Sequence, residues 1–264
     1  MTFTSSQSAF PERQPLRVVG AAPSDAIEVR RLGVQYREVI ALDNVSINFH
    51  AGRLTGIIGP NGAGKSTLIK AMLGLIPTVS GQVTYQGESL ARQRPKIAYV
   101  PQRSQIDWHY PATVWDVVMM GRIQKTGWFR RFSTVSRRTA LAALDRVGMA
   151  EFTDRSIGQL SGGQQQRVFL ARSLAQEADI FCFDEPFVGV DQKTEAILFQ
   201  VFQELAATGK TVVVVNHDLG ESITHFDDLV LLNRSVIATG PRHQVLNRDN
   251  LTAAYGGHVN FHVA

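Results

Sequence analysis

Around residue 60 the chain carries one pattern that few folds can accommodate. A short apolar run at 54–58 leads into Gly59-Pro60-Asn61-Gly62-Ala63-Gly64-Lys65-Ser66-Thr67, and a helix-forming stretch follows over 66–75. The nonapeptide fits G-x-x-x-x-G-K-[ST] and lies between a strand and a helix, as that motif requires. Glycines let the backbone curl so that successive N–H groups converge on phosphate oxygens. The N-terminus of the next helix adds a dipole that favours negative charge. Lys65 brings a positive charge to the β- and γ-phosphates, and Ser66 offers a hydroxyl to magnesium, which prefers hard oxygen ligands. This segment implies nucleoside triphosphate binding and leaves the use of the nucleotide open.

The rest of the apolar pattern agrees with an α/β fold. Residues 27–49 hold short alternating β-like runs, among them 45–49. Further strands are expected at 82–85, 97–100, 180–183, 211–215, 228–232 and 236–238. The 180–183 run lacks polar alternation, the mark of a strand covered on both faces, and 211–215 is β-branched throughout. Helices are expected at 114–120, 139–147, 163–175 and 194–206, with a connecting loop over 126–136. Strands alternating with helices imply a largely parallel sheet between helical layers. Residues 103–160 carry mainly helical signals and are read as a separate subdomain.

Composition narrows the class. The chain has 264 residues, 44% of them hydrophobic, enough for one large α/β domain. The formal charge of +4 fits an anionic ligand or a surface near anionic lipid and decides neither. A nucleic-acid binder would show a concentrated basic stripe. The nearest approach is Arg130, Arg131, Arg137 and Arg138 around Trp128, Phe129 and Phe132, which reads as a solvated loop and helix face. No nucleic-acid partner is therefore expected. The single cysteine, Cys182, excludes an internal disulfide, suits a reducing compartment, and reads as a small buried hydrophobe. No apolar stretch reaches the ~18 residues of a membrane span. Residues 1–25 lack the basic start and apolar segment of a secretory signal and, rich in Ser, Pro and Ala, read as a flexible extension. The expectation is a cytosolic protein that works at a membrane only by docking on something that spans it.

About a hundred residues after the phosphate loop comes Leu160-Ser161-Gly162-Gly163-Gln164. A small hydroxyl and glycines opening a helix again provide free N–H donors, a second phosphate site in a chain that already has one. Next comes Ile180-Phe181-Cys182-Phe183-Asp184-Glu185, an apolar strand that ends in two acids. Its carboxylates fall at the C-terminal sheet edge, where ligands bind in such folds. Asp184 suits magnesium, held through water, and Glu185 suits a general base that polarises the attacking water.

In this order the motifs resemble those of the nucleotide-binding subunits of ABC transporters, over about residues 27–246. The resemblance implies a P-loop NTPase core with a mainly parallel sheet, an N-terminal antiparallel β subdomain and an inserted helical subdomain. The cassette would span 26–250, between the extension at 1–25 and a tail at 251–264. The implied reaction is hydrolysis of ATP with Mg2+. Ser161, Gly162, Gly163 and Gln164 would face the nucleotide held by a second copy, with Ser161 and Gly163 on its γ-phosphate. His217 matches the switch histidine on the γ-phosphate. Gln102 matches the Q-loop glutamine, which links the nucleotide to the membrane subunit and stands with Ser66 and Asp184 around the magnesium. Asp191 matches the aspartate that crosses the dimer interface, and Tyr36 the aromatic that stacks on adenine. The implied partners are a second copy, integral membrane permease subunits and, indirectly, a substrate-binding protein. The implied place is peripheral, on the cytoplasmic face of the inner membrane.

Three segments are similar to one branch, the ATPases that import manganese, zinc or iron: residues 100–111, residues 116–122 and residues 185–191. Manganese or zinc is the expected cargo, with iron third. His109 stands where members of that branch often carry an acid or a small polar residue, so the metal stays open. Haem, siderophore and cobalamin importers remain alternatives, as does a soluble ATPase of the class. The latter often carries two motif sets or a long coiled-coil insertion; this chain has one set and no sustained heptad run. A P-loop kinase would need an acceptor site and has no use for the signature. Trp108, His109 and Tyr110 read equally as a docking surface for a membrane-subunit helix or as local packing. His258 and His262, four apart, would share a face on a helix, yet the segment reads as a solvated tail rather than a metal site.

Overall fold

The structure, a computed structural model, describes residues 25–127, 130–217 and 219–256. The extension at 1–24, Trp128, Phe129, His258 and His262 lie outside the described residues. The chain runs β1 (Asp25–Tyr36), β2 (Val39–His50), β3 (Leu54–Ile58), α1 (Lys65–Met72), β4 (Ser80–Tyr85), β5 (Glu88–Ser89) and β6 (Ile97–Val100). It continues through α2 (Val114–Met120), α3 (Ile123–Thr126), α4 (Thr134–Arg146), α5 (Gly162–Gln176), β7 (Ile180–Asp184), α6 (Gln192–Ala207) and β8 (Thr211–Val215). β9 (Asp228–Asn233), β10 (Ser235–Pro241), α7 (Arg242–Val245) and α8 (Arg248–Tyr255) close it.

Two sheets result. One is antiparallel, in the order β2-β1-β4-β5; the other is ordered β10-β9-β3-β8-β7-β6. In the second sheet every pairing is parallel except that of β10 with β9. β2 shows why the first sheet has one wet face: Leu42, Val45, Ile47 and Phe49 are buried while the residues between them are mostly exposed. β7 shows the opposite. Ile180 and Cys182 pack into the core shared with the antiparallel sheet and α1, whereas Phe181 and Phe183 pack into the core beneath α2, α5 and α6. Both faces are covered, which explains the run without polar alternation.

Helix ends follow local chemistry, and three of them correct the sequence reading. α1 stops at Met72, short of the expected 75, because Gly74 (φ 64°) closes a Schellman turn: Leu75 N–H bonds to Lys70 O at 2.9 Å and Gly74 N–H to Ala71 O at 3.0 Å. α4 begins at Thr134 inside the expected loop 126–136, with the Ser133 hydroxyl accepting from Ser136 N–H at 3.1 Å. The expected start of a tail at 251 falls inside α8, where Leu251 and Ala254 are buried. Among the described residues no helix is long and apolar enough to cross a membrane.

The α6 side of the core is aromatic. Phe202 is fully buried and lies 4.4 Å, centroid to centroid, from Phe183 of β7. Phe202→Ala is expected to cost about 3–5 kcal/mol. It should appear in urea titration as a lower midpoint at unchanged slope. A loss under ~1 kcal/mol would contradict close packing of α6 on β7.

Candidate nucleotide site

β3 is flanked by β8 and β9 in parallel, so its C-terminal end opens on the same edge as theirs. Residues 59–64 turn there into α1. At Gly59 (φ 148°) a Cβ would lie 2.0 Å from the Leu232 carbonyl oxygen. At Gly64 (φ 93°) it would lie 2.6 Å from the Ala41 carbonyl oxygen. Both positions exclude any side chain on two counts, conformation and space. The loop is clamped from outside by Arg234 N–H, which donates to Ala63 O at 2.8 Å. Pro60 is partly buried, and Asn61 and Gly62 are exposed at the tip. Thr67 lies half-buried in the first turn of α1. The buried Lys65 ammonium donates to the carbonyls of Gly59 (2.8 Å) and Pro60 (3.0 Å). Burial lowers its pKa, against the opposing pull of the Glu185 and Asp184 carboxylates.

β7 brings the acids to this edge. Asp184 is level with Val215 of β8, and Val215 is level with Ile57 of β3. The Ser66 hydroxyl donates to Asp184 Oδ1 at 2.8 Å. Among the described residues nothing hydrogen-bonds to the buried Asp184 Oδ2. Desolvation raises the pKa of this carboxyl; the Ser66 bond lowers it, Glu185 raises it, and Lys70 and Lys65 lower it. An orphaned carboxylate oxygen beside a hydroxyl is a pair of hard oxygen ligands, so the residues present fit magnesium.

Glu185 follows in the left-handed region (φ 52°), which turns its side chain off the strand direction. Gln102, two residues past the end of β6, donates its Nε2 to Glu185 Oε2 at 2.6 Å. His217 stands two residues past β8 and is exposed. Its neighbour Asn216 is fixed by an N–H bond to Ile57 O at 2.9 Å. Among the described residues no hydrogen bond joins His217 to either acid.

The second phosphate-type corner lies elsewhere. Ser161 caps α5 in a capping box: its hydroxyl accepts from Gln164 N–H at 3.3 Å, and Gln164 Oε1 accepts from Ser161 N–H at 2.9 Å. A Cβ on Gly163 would lie 2.8 Å from Thr194 Oγ1, and one on Gly162 3.2 Å from the Gly189 carbonyl oxygen, so the start of α5 rests against the start of α6. There Asp191 caps α6 by accepting from Thr194 N–H at 2.7 Å, a bond that holds its carboxyl below the usual range. Among the described residues no hydrogen bond ties residues 161–164 to residues 59–67.

Tyr36 sits at the tip of the β1–β2 hairpin, half exposed beside the exposed Val39 and Ile40. Trp108 packs edge-on to Phe169 at 5.3 Å and donates to Arg103 O at 3.0 Å, while His109 and Tyr110 are exposed; only Trp108 is taken up by local packing. Arg130, Arg131, Arg137 and Arg138 are exposed. One neighbour of the loop has no signal in the sequence. The buried hydroxyl of Tyr255, at the end of α8, lies against the Gly59 backbone, and burial pushes its pKa up to about 12.

A glycine-rich loop between a strand and a helix, two acids at the end of a strand one place removed in the same sheet, and mainly parallel strand order define a P-loop ATPase. A sequence profile of the ABC transporter family matches residues 42–188. A probable ABC transporter ATP-binding protein of Cyanophora paradoxa is 50% identical over 233 residues, 88% of this chain and 96% of that one. The manganese transport system ATP-binding protein MntB of Listeria monocytogenes is 47% identical over 230 residues, 87% of this chain and 96% of its own. The zinc transport system ATP-binding protein TroB of Treponema pallidum is 45% identical over 240 residues, 91% and 90% of the two chains. The dimeric structure of MJ0796, a bacterial ABC transporter cassette, superposes with a TM-score of 0.73 at 29% identity, covering 82% of this chain and 98% of that one. The chain belongs to the ABC transporter family, as an ATP-binding component that hydrolyses ATP. Cassettes of this family act as dimers with membrane permease components.

The orphaned carboxylate gives a stability prediction. The folded state raises the Asp184 pKa above its ordinary value of 3.8, so folding takes up a proton in that window. Stability falls as pH rises through it, and the penalty is fully present at neutral pH. Asp184→Asn removes the charge and keeps an oxygen for Ser66. Without nucleotide, D184N should melt about 2 °C or more above the parent at pH 7.5. The gain should shrink toward pH 4, as followed by calorimetry. Equal melting at pH 7.5 would mean that the carboxylate finds a counter-charge in solution.

Proposed function

We propose that the chain hydrolyses ATP to drive import of manganese or zinc across a membrane. It would do so as a peripheral homodimer on the cytoplasmic face of the inner membrane, beneath permease subunits that receive the ion from a substrate-binding protein. What carries this reading is the likeness to MntB and TroB along nearly nine-tenths of the chain. Iron is the third cargo of the same branch.

The residues divide the work. Lys65 and the backbone N–H groups of residues 61–67 bind the β- and γ-phosphates, as the dipole and positive charge at the start of α1 favour. Tyr36 stacks on the adenine. Ser66, Asp184 and Gln102 would hold magnesium, which when bound offsets the charge of the β- and γ-phosphates. Glu185 takes a proton from the attacking water, and its hydrogen bond from Gln102 fixes the carboxylate in place. His217 approaches the γ-phosphate from the end of β8. The second copy closes the site with the N-terminal turn of α5, residues Ser161, Gly162, Gly163 and Gln164, where the Gly162 and Gly163 N–H groups lack an intrahelical acceptor and the Ser161 hydroxyl, an acceptor in the capping box, still has its O–H to donate. Asp191 meets the opposite copy. Loss of the γ-phosphate removes the bridge between copies, the dimer opens, and the Q-loop passes that motion to the permease.

Glu185→Gln should leave ATP binding within about twofold of the parent and lower turnover at least 10²-fold. Lys65→Ala should weaken ATP binding itself. Nucleotide titration and phosphate release separate the two variants, and a fully active E185Q would remove the general-base assignment. Uptake of manganese, zinc and iron by cells with and without the gene tests the cargo. Uptake of all three unchanged by deletion would refute the proposed function.

A further inference from the structure

The phosphate loop, the acids and the signature leave one feature of the edge unused, a stack of three rings. Phe199, in the middle of α6, is stacked by Phe187 at 4.5 Å and 21° and by the His225 imidazole at 4.3 Å and 23°. Among the described residues no ring contact joins Phe187 to His225. Phe199 is buried, Phe187 is half-buried and His225 is exposed. Phe226 and Phe202 meet Phe199 edge-on at 5.6 and 6.3 Å and fix its orientation.

The two outer rings belong to different parts of the site. Phe187 lies two residues after Glu185 in the turn that leads to Asp191, and within that turn Val190 N–H bonds to Phe187 O at 3.4 Å. His225 ends the 3₁₀ turn Glu221–His225, eight residues after His217. That turn is tied back to the start of its own segment by Asn216 Nδ2, which donates to Ser222 Oγ at 3.3 Å. One ring of α6 therefore touches the turn that carries the acid and the segment that carries the switch histidine.

We infer that Phe187, Phe199 and His225 are positioning residues for hydrolysis, holding the Glu185 turn and the His217 segment in one register on α6. The inference rests on the proposed roles of Glu185 and His217. Aromatic pairs prefer particular ring geometries and add to simple burial, so the stack favours one placement of the two outer rings. Misplacing a general base by a fraction of an ångström lowers the chemical step without removing nucleotide binding. Being exposed, the imidazole can be changed with little loss of core packing.

The test compares His225→Gln with His225→Phe in the full-length chain, using MgATP turnover and thermal melting. H225Q removes the ring and keeps polarity; H225F keeps the ring and removes the titrating nitrogens. The expected result for H225Q is a kcat about 3- to 10-fold lower, a KM for ATP within about twofold, and melting within about 2 °C of the parent. H225F should keep kcat within about twofold of the parent. Parental kcat in H225Q, or equal impairment in H225F, would overturn the inference; the second outcome would assign the effect to the imidazole nitrogens. E185Q and His217→Ala, assayed alongside, separate the two readings. If they retain turnover the proposed catalytic roles fail, whereas if they lose it while H225Q does not, only the stack fails.

Discussion

Val215 stands level with Ile57 on one side and with Asp184 on the other, and that parallel register decides where the chemistry can happen. Three strands distant in sequence end together, so Gly59, Glu185 and His217 emerge at one edge within two residues of a common level. The Ser66–Asp184 hydrogen bond then ties α1 to β7 across β8, joining residues 118 apart in the chain. Nothing in the sheet interior could accept these groups. β3, β7 and β8 are buried along their length, and an ionised side chain farther back along them would have neither water nor a counter-charge. The edge is the nearest place to the core where charge is tolerable, and Asp184 lies at its limit.

That limit has a consequence for stability. A carboxylate with one oxygen held by Ser66 and the other without a partner among the described residues weakens the fold at neutral pH. The same deficit favours a cation when one arrives, since binding supplies the missing partner. Strain of this kind is common at functional sites, where binding competence is kept at the expense of stability. The buried Lys65 is the complement. Its ammonium is satisfied by the carbonyls of Gly59 and Pro60, so the loop carries a desolvated positive charge already aimed along its own backbone.

How much of this was legible in the sequence depends on range. The glycines of the phosphate loop were readable because their demand is local, a positive φ or a close approach to backbone. Gly74 was equally readable as a helix stop, and passing over it extended α1 by three residues. The start of α4 was harder. Thr134 and Val135 are poor helix formers, and only the Ser133 cap marks the boundary. The β7 pattern announced a strand buried on both faces but not its neighbours. Residue types at the site could be listed from motifs; the bonds between them, Ser66 to Asp184 and Gln102 to Glu185, exist only once strand order is fixed. The contact of Tyr255 with Gly59 and the ring stack on Phe199 are wholly tertiary. No period or spacing encodes them, because each joins elements whose adjacency follows from the sheet.

α6 is the element that unites these observations. Its N-terminus is capped by Asp191, and Thr194 in its first turn is the surface against which Gly163 of the signature corner packs. Phe199 lies five residues beyond Thr194, about 7.5 Å along the axis at 1.5 Å per residue. Over its 16 residues the helix buries Leu198, Phe199, Phe202 and Leu205 in the core that β7 and β8 share. The Ser161 hydroxyl accepts from its own helix and still has an O–H to donate, so the corner offers that hydroxyl together with the first-turn N–H groups of Gly162 and Gly163. On the proposed reading these meet the γ-phosphate held by the other copy. Displacement of that corner would be carried by Gly163 onto Thr194, along α6, and into the turn bearing Glu185. The contact between copies and the placement of the base would then depend on the position of a single helix.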